Sequence, residues 1–144
     1  MNETAATPVK LAALLHTAYA AQAAVEAKLL ALELSLPKLM ALQALAAVGE
    51  SMPLSALAER LACVKSNITQ LVDRLEADGF VARKADPHDR RTKLAVLTAA
   101  GRKACAEGTR VQEATEHALL VALTPGESQT LAALLEKVGT GGTG

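Results

Sequence analysis

Leu11, Leu14, Leu15, Ala18, Val25, Leu29 and Leu32 recur at helical spacing, with Lys10, Gln22, Glu26, Lys28 and Glu33 interspersed. This predicts a first helix over 8 to about 34, opened by Pro8, whose missing N–H would have no partner in a first helical turn. Ser35, ahead of Pro37, starts a second helix through Leu39, Leu42, Leu45 and Val48, and Gly49 stops it. The stretch 51–54 contains Pro53 and has room only for a small edge strand. Ser55 then reads as the cap of a short third helix ending near Ala62. After a turn, a fourth helix from 65 or 66 to 78 puts Ile68, Leu71, Val72 and Leu75 on one stripe, with Gly79 as its left-handed stop. The opposite face carries Ser66, Gln70, Asp73 and Arg74.

The pattern then changes character. Segments 80–84 and 92–97 have the aromatic and β-branched content of strands, and the intervening Ala-Asp-Pro-His-Asp-Arg-Arg of 85–91 supplies a turn, so the pair reads as a hairpin with a charged tip. Thr98 caps a long fifth helix to about Leu123, despite Gly101 and Gly108, each of which weakens a helix by roughly 1 kcal/mol relative to Ala. Thr124-Pro-Gly-Glu127 is a capping box for a sixth helix over 125–138, and the Gly/Thr tail from Gly139 is expected to be loose. The order predicts a mainly α fold with a small β wing: a winged helix-turn-helix flanked by long N- and C-terminal helices.

Composition narrows the class. With 144 residues, 51% of them apolar, the chain can bury one core and is read as a single domain, 1–144. Its aromatic residues are Tyr19 and Phe80, so the core must be Leu, Ala and Val. Two cysteines, Cys63 and Cys105, make no disulfide framework and imply a reduced compartment. With no secretory leader pattern and no uncharged stretch of spanning length, the expectation is a soluble, cytoplasmic protein without membrane contact.

The charge balance is zero overall, fifteen basic against fifteen acidic residues, but it is uneven along the chain. Between Arg60 and Lys103 ten basic residues face five acidic ones, about +5, leaving −5 for the remainder. A basic helix-turn-helix and hairpin is what a phosphate backbone requires, although a charge cluster can also be a solvated surface.

The segment Leu57-Ala-Glu-Arg-Leu, the turn at 62–64, the run from Lys65 to Phe80, and above all Asp86-Pro-His-Asp-Arg-Arg91 followed by Leu94, Val96, Leu97-Thr98 and Gly101, resemble the multiple antibiotic resistance regulator (MarR) family and its Asp-x-Arg wing signature. The resemblance implies a homodimeric, sequence-specific transcription regulator on a pseudo-palindromic double-stranded DNA operator, most often a ligand-responsive repressor. It assigns 36–98 to the DNA-binding lobe, and 8–34 and 99–138 to dimerisation. It also implies a minor-groove contact by Arg91, oriented by Asp89, with Arg90 beside it; either arginine could meet a phosphate instead.

On the fourth helix, Ser66, Asn67, Thr69 and Gln70 are candidates for base contact and Lys65 and Arg74 for backbone contact, since Asn and Gln can pair bidentately with adenine. Ser66 or Asn67 could instead simply cap that helix. Asp73 would repel phosphate, so it is expected to pair with Arg74 or another cation. Val64 stands where family members often have a capping residue, which shifts the helix start by one or two positions.

His16 and Tyr19 on the first helix, with His117 from the fifth, form a candidate effector pocket; a packed helix surface is the plainer reading. Cys63 reads as a small core residue, and redox sensing through Cys63 or Cys105 is the alternative within the family. No metal-ligand spacing, cofactor-binding loop or catalytic constellation is present, so no metal, cofactor or enzymatic activity is expected. A winged-helix module docking an acidic protein is the alternative from another class.

Overall fold

The first helix, α1 (Leu11–Leu29), begins three residues after Pro8, because the chain is still extended at Lys10. The structure, a computed structural model, describes residues 8–61 and 67–141. Its other elements are α2 (Leu36–Ala47), β1 (Ser51–Pro53), α3 (Leu54–Arg60), α4 (Ile68–Ala77), β2 (Val81–Ala85), β3 (Lys93–Leu97), α5 (Ala99–Leu120) and α6 (Pro125–Gly141). Residues up to Val111 form one compact unit and those from Gln112 a second.

In the first unit α1 passes through a single 3-10 turn, Leu30–Leu32, and stops when Glu33 turns left-handed at φ 58°. This is slightly short of position 34. The Leu34 N–H then returns to the Leu29 carbonyl at 3.1 Å, and Leu34 is buried. Ser35 caps α2 as its sequence predicts: Oγ accepts the Lys38 N–H at 3.3 Å, while the Glu26 carboxylate accepts that of Leu36 at 2.8 Å. Gly49 stops α2 at φ +84°, and Glu50 follows it into the left-handed region at φ 73°. The Glu50 carbonyl accepts the Leu97 N–H at 2.8 Å and its carboxylate meets Arg102 at 2.7 Å, which holds that conformation.

Ser55 is not the cap of α3. The strand ends at Pro53 and the helix starts at Leu54, one residue before Ser55, because proline's fixed φ hands the chain directly from strand to helix. The helix runs to Arg60; the expected end at Ala62 lies outside the described residues.

The hairpin is the larger part of a three-stranded antiparallel sheet ordered β1-β3-β2. β3 pairs Val96 with both Ser51 and Ala82, and Ala95 with both Met52 and Arg83. Met52, Val81, Ala95 and Leu97 are buried, whereas the strand ends toward the turn are exposed. Leu29, Leu39, Leu42, Leu45, Leu57, Val72 and Leu75 fill the core around the sheet. Full burial of each such side chain stabilises the fold by about 1.5–3 kcal/mol.

Thr98 starts α5 as expected. Its hydroxyl donates to the Gly79 carbonyl at 2.6 Å and accepts the Gly101 N–H at 3.0 Å, and its own N–H bonds the Phe80 carbonyl at 3.1 Å. The two glycines that looked like weaknesses in α5 stand at close tertiary contacts. A Cβ on Gly101 would collide with the Phe80 carbonyl oxygen, and one on Gly108 would come within 2.7 Å of a Leu39 methyl and 2.9 Å of one on Leu34.

In the second unit α5 ends at Leu120 rather than near Leu123, where the Leu123 N–H already folds back to the Leu120 carbonyl at 2.9 Å. The capping box forms as read: Thr124 Oγ1 accepts the Glu127 N–H at 3.2 Å and the Glu127 carboxylate accepts that of Thr124 at 3.0 Å. The Glu127 carboxyl is held below the usual carboxylate range, chiefly by that backbone hydrogen bond. α6 continues to Gly141, so residues 139–141 are helical rather than loose; the Thr140 hydroxyl donates to the Glu136 and Lys137 carbonyls and ties the last turn.

Candidate nucleic-acid interface

α4 begins at Ile68, two to three residues later than its sequence predicts, because Asn67 is its cap. Asn67 Oδ1 accepts the N–H groups of Thr69 at 3.1 Å and Gln70 at 3.3 Å, which commits its side-chain oxygen to the backbone and leaves only its amide nitrogen for another partner. Lys65, Ser66, Cys63 and Val64 lie outside the described residues. Leu71, Val72 and Leu75 are buried beneath the helix, and Thr69, Gln70, Asp73 and Arg74 are exposed on it. Ser35, Lys38, Asn67, Gln70 and Arg74 line a hollow of about 270 Å³ beside its first turns. The far end of α4 is fixed by Lys38, whose ammonium bonds Asp78 at 2.7 Å.

The wing tip is ordered by its own aspartates. Asp89 accepts the Arg91 N–H at 3.0 Å and the Thr92 hydroxyl at 3.2 Å, and its carbonyl accepts the Thr92 N–H at 2.9 Å. Asp86 similarly accepts the His88 N–H at 2.9 Å. These are Asx turns, in which a short carboxylate replaces a backbone acceptor and holds the loop in one shape. Asp89 thus acts on Arg91 through the backbone. The side chains of Arg90 and Arg91 are exposed and make no ion pair or hydrogen bond among the described residues.

Asp73 does pair with a cation, and that cation is Arg83 on β2, at 2.7 Å. Arg83 also reaches Glu76 at 3.4 Å and the Thr69 carbonyl at 3.3 Å. In the sequence Arg83 is one of the ten basic residues between Arg60 and Lys103, with nothing in that count to mark its task. The available signal was alternation, since Arg83 shares a strand face with buried Val81.

The candidate effector residues are exposed. His16 and Tyr19 lie on α1 in the first unit, Tyr19 being 64% accessible. His117 belongs to the second unit, at a hollow of about 390 Å³ that includes Glu113, Glu116 and Leu120. Burial pushes the Cys105 thiol up, against a hydrogen bond with Thr109 that lowers it, so the reactive thiolate is disfavoured. Among the described residues no three His, Cys, Asp or Glu side chains are grouped to hold a metal ion, and no single helix is long and apolar enough to cross a membrane.

A helix with an open polar face, followed at once by a hairpin whose pinned tip carries two unpaired arginines, defines a winged-helix protein of the DNA-binding type. Residues 34–93 match the model of the MarR family, whose wing signature the sequence resembles. The chain is 35% identical over 91 residues to the HTH-type transcriptional regulator YkoM of Bacillus subtilis, a match covering 60% of this chain and 56% of YkoM. The chain therefore spans little more than half the length of that relative. Among solved structures, an Escherichia coli MarR variant complexed with operator DNA superposes with a TM-score of 0.78 at 25% identity, covering 89% of this chain and 92% of MarR. BpsR of Bordetella bronchiseptica, whose DNA binding is regulated by 6-hydroxynicotinic acid, superposes with a TM-score of 0.80 at 25% identity, covering 92% and 98%.

Proposed function

We propose that the protein is a ligand-responsive repressor that binds a pseudo-palindromic operator as a homodimer. The observation that carries this reading is the wing tip, where two unpaired arginines stand on a loop stiffened by Asp86 and Asp89, next in sequence to the open polar face of α4. In each subunit α4 enters the major groove: Thr69, Gln70 and Ser66 meet base edges, Asn67 through its amide nitrogen, and Lys65 and Arg74 meet phosphates. Arg91, with Arg90 beside it, enters the electronegative minor groove, at a position set by Asp89.

The lobe of 36–98 binds DNA, and the segments 8–34 and 99–138 hold two copies together. Support for a second copy comes from α6, which buries none of its residues while exposing Leu131, Leu134, Leu135 and Val138, and from Leu11, Leu14 and Leu15 exposed on α1. Two recognition helices must stand about 34 Å apart, one turn of duplex, to enter successive major grooves. His16 and Tyr19 in the first unit, and separately His117 in the second, are the candidate effector contacts, by analogy with the small aromatic acid that regulates BpsR. Such a ligand weakens DNA binding only as far as it prefers a different spacing of the two lobes. The site of action is the cytoplasm.

Fluorescence anisotropy with a duplex from immediately upstream of the protein's own coding sequence, and with a scrambled duplex, across a salt series, tests the reading. Preference for the upstream duplex with affinity falling steeply as salt rises is the expected result. Absence of binding to either duplex at low salt would refute it and bring the protein-docking module forward.

A further inference from the structure

The exposed side of α4 presents two carboxylates, Asp73 one turn beyond Thr69 and Glu76 nearly a turn further on. A phosphate backbone approaching this side meets negative charge, which opposes docking. Arg83 answers both acids at once. Antiparallel pairing sets Arg83 opposite Ala95, on the same sheet face as buried Val81, so its side chain runs back toward α4 rather than outward. There its guanidinium bonds Asp73 at 2.7 Å, Glu76 at 3.4 Å and the Thr69 carbonyl at 3.3 Å, and its backbone N–H adds a bond to Glu76 at 3.1 Å. The Arg83 side chain is only 24% exposed, whereas Asp73 and Glu76 remain 57% and 44% exposed.

We propose that Arg83 is the internal counter-ion of the recognition helix: a positioning residue that makes an acidic helix face acceptable to DNA and does not itself bind phosphate. With Arg83 the three side chains sum to −1; without it they sum to −2, on a surface that must lie against a polyanion. A guanidinium suits this task better than an ammonium because its planar fork reaches two carboxylates and a carbonyl together. The inference rests on the DNA-binding reading.

The test compares wild type, Arg83→Gln, and the double variant Arg83→Gln with Asp73→Asn, which restores the wild-type sum of −1 without restoring the guanidinium. Thermal unfolding is followed first, and all titrations are run well below the lowest midpoint. On the upstream duplex at low salt, Arg83→Gln is expected to bind about tenfold more weakly, with the deficit shrinking as salt screens the exposed acids. The double variant is expected to return to within about threefold of wild type, a difference of less than one decade in affinity. Wild-type affinity in Arg83→Gln would overturn the proposal. So would a double variant as weak as the single one, with a log–log salt slope shallower by about 0.9, which is the mark of a lost phosphate contact. Either result leaves the DNA-binding reading standing if wild type still prefers its upstream duplex, whereas wild type that binds neither duplex removes both.

Discussion

At the scale of single residues the candidate interface separates side chains that shape it from side chains left free to make contacts. Asp86, Asp89 and Asn67 each spend a side-chain oxygen on backbone N–H groups, and Asp89 a second on the Thr92 hydroxyl, whereas Arg90, Arg91, Gln70 and Arg74 project from the frame those bonds make. Substituting Arg91 by Ala should therefore leave the unfolding midpoint unchanged, since an exposed side chain without partners adds little to stability. It should weaken operator binding at matched salt. Gln70→Ala should instead change the ranking among operator variants more than the affinity for scrambled duplex, and equal losses on every sequence would make Gln70 a backbone contact. Much of this was readable in the sequence, because Asp-Pro and the arginines at 90 and 91 announce a charged turn whatever surrounds them. The partner of Asp73 was not, because which cation reaches it depends on the pairing register of β2 with β3.

Elements were legible where local chemistry decides them and less so where neighbours do. Ser35, Thr98 and the Thr124–Glu127 box cap their helices as read, since a cap is a bond between residues three apart. Ser55 failed as a cap because Pro53, at the end of a sheet strand, had already set the helix entry. Gly101 and Gly108 were legible only as defects, since their reason for being glycine is a tertiary contact. This contrast is measurable. Gly101→Ala drives a methyl into the Phe80 carbonyl, backbone that is itself bonded to Thr98, and should cost about 3 kcal/mol in urea unfolding. Gly108→Ala meets leucine tips that can rotate, and with about 1 kcal/mol regained in helix propensity it should fall near wild type. The α6 cap should respond to pH. The Glu127 pKa is lowered by folding, so its contribution is present above the ordinary carboxylate range and lost as pH falls through the folded pKa. Helix content followed by circular dichroism should decline in that acidic window, and Glu127→Gln should flatten the decline.

For the whole molecule the open question of design is how so much leucine stays in water. The first unit closes its own core around Leu42, Leu45 and Leu75, but in the second unit α6 leaves Leu134 and Leu135 more than half exposed. Glutamate at both positions should convert a sedimenting dimer into a monomer, because two charges cannot be buried unpaired in an apolar interface. A monomeric wild type would remove the second copy from the proposed function. The sheet bears on how the chain is made as well as on how it works. Its central strand, β3, is the last of the three to be synthesised, and β1 has no partner before it arrives. A ribosome translating this chain therefore releases α2 and α3 with an open strand edge between them, and the lobe can close only after Leu97 has emerged. Pausing before that codon would prolong the stage at which the nascent chain is most exposed to edge-to-edge aggregation.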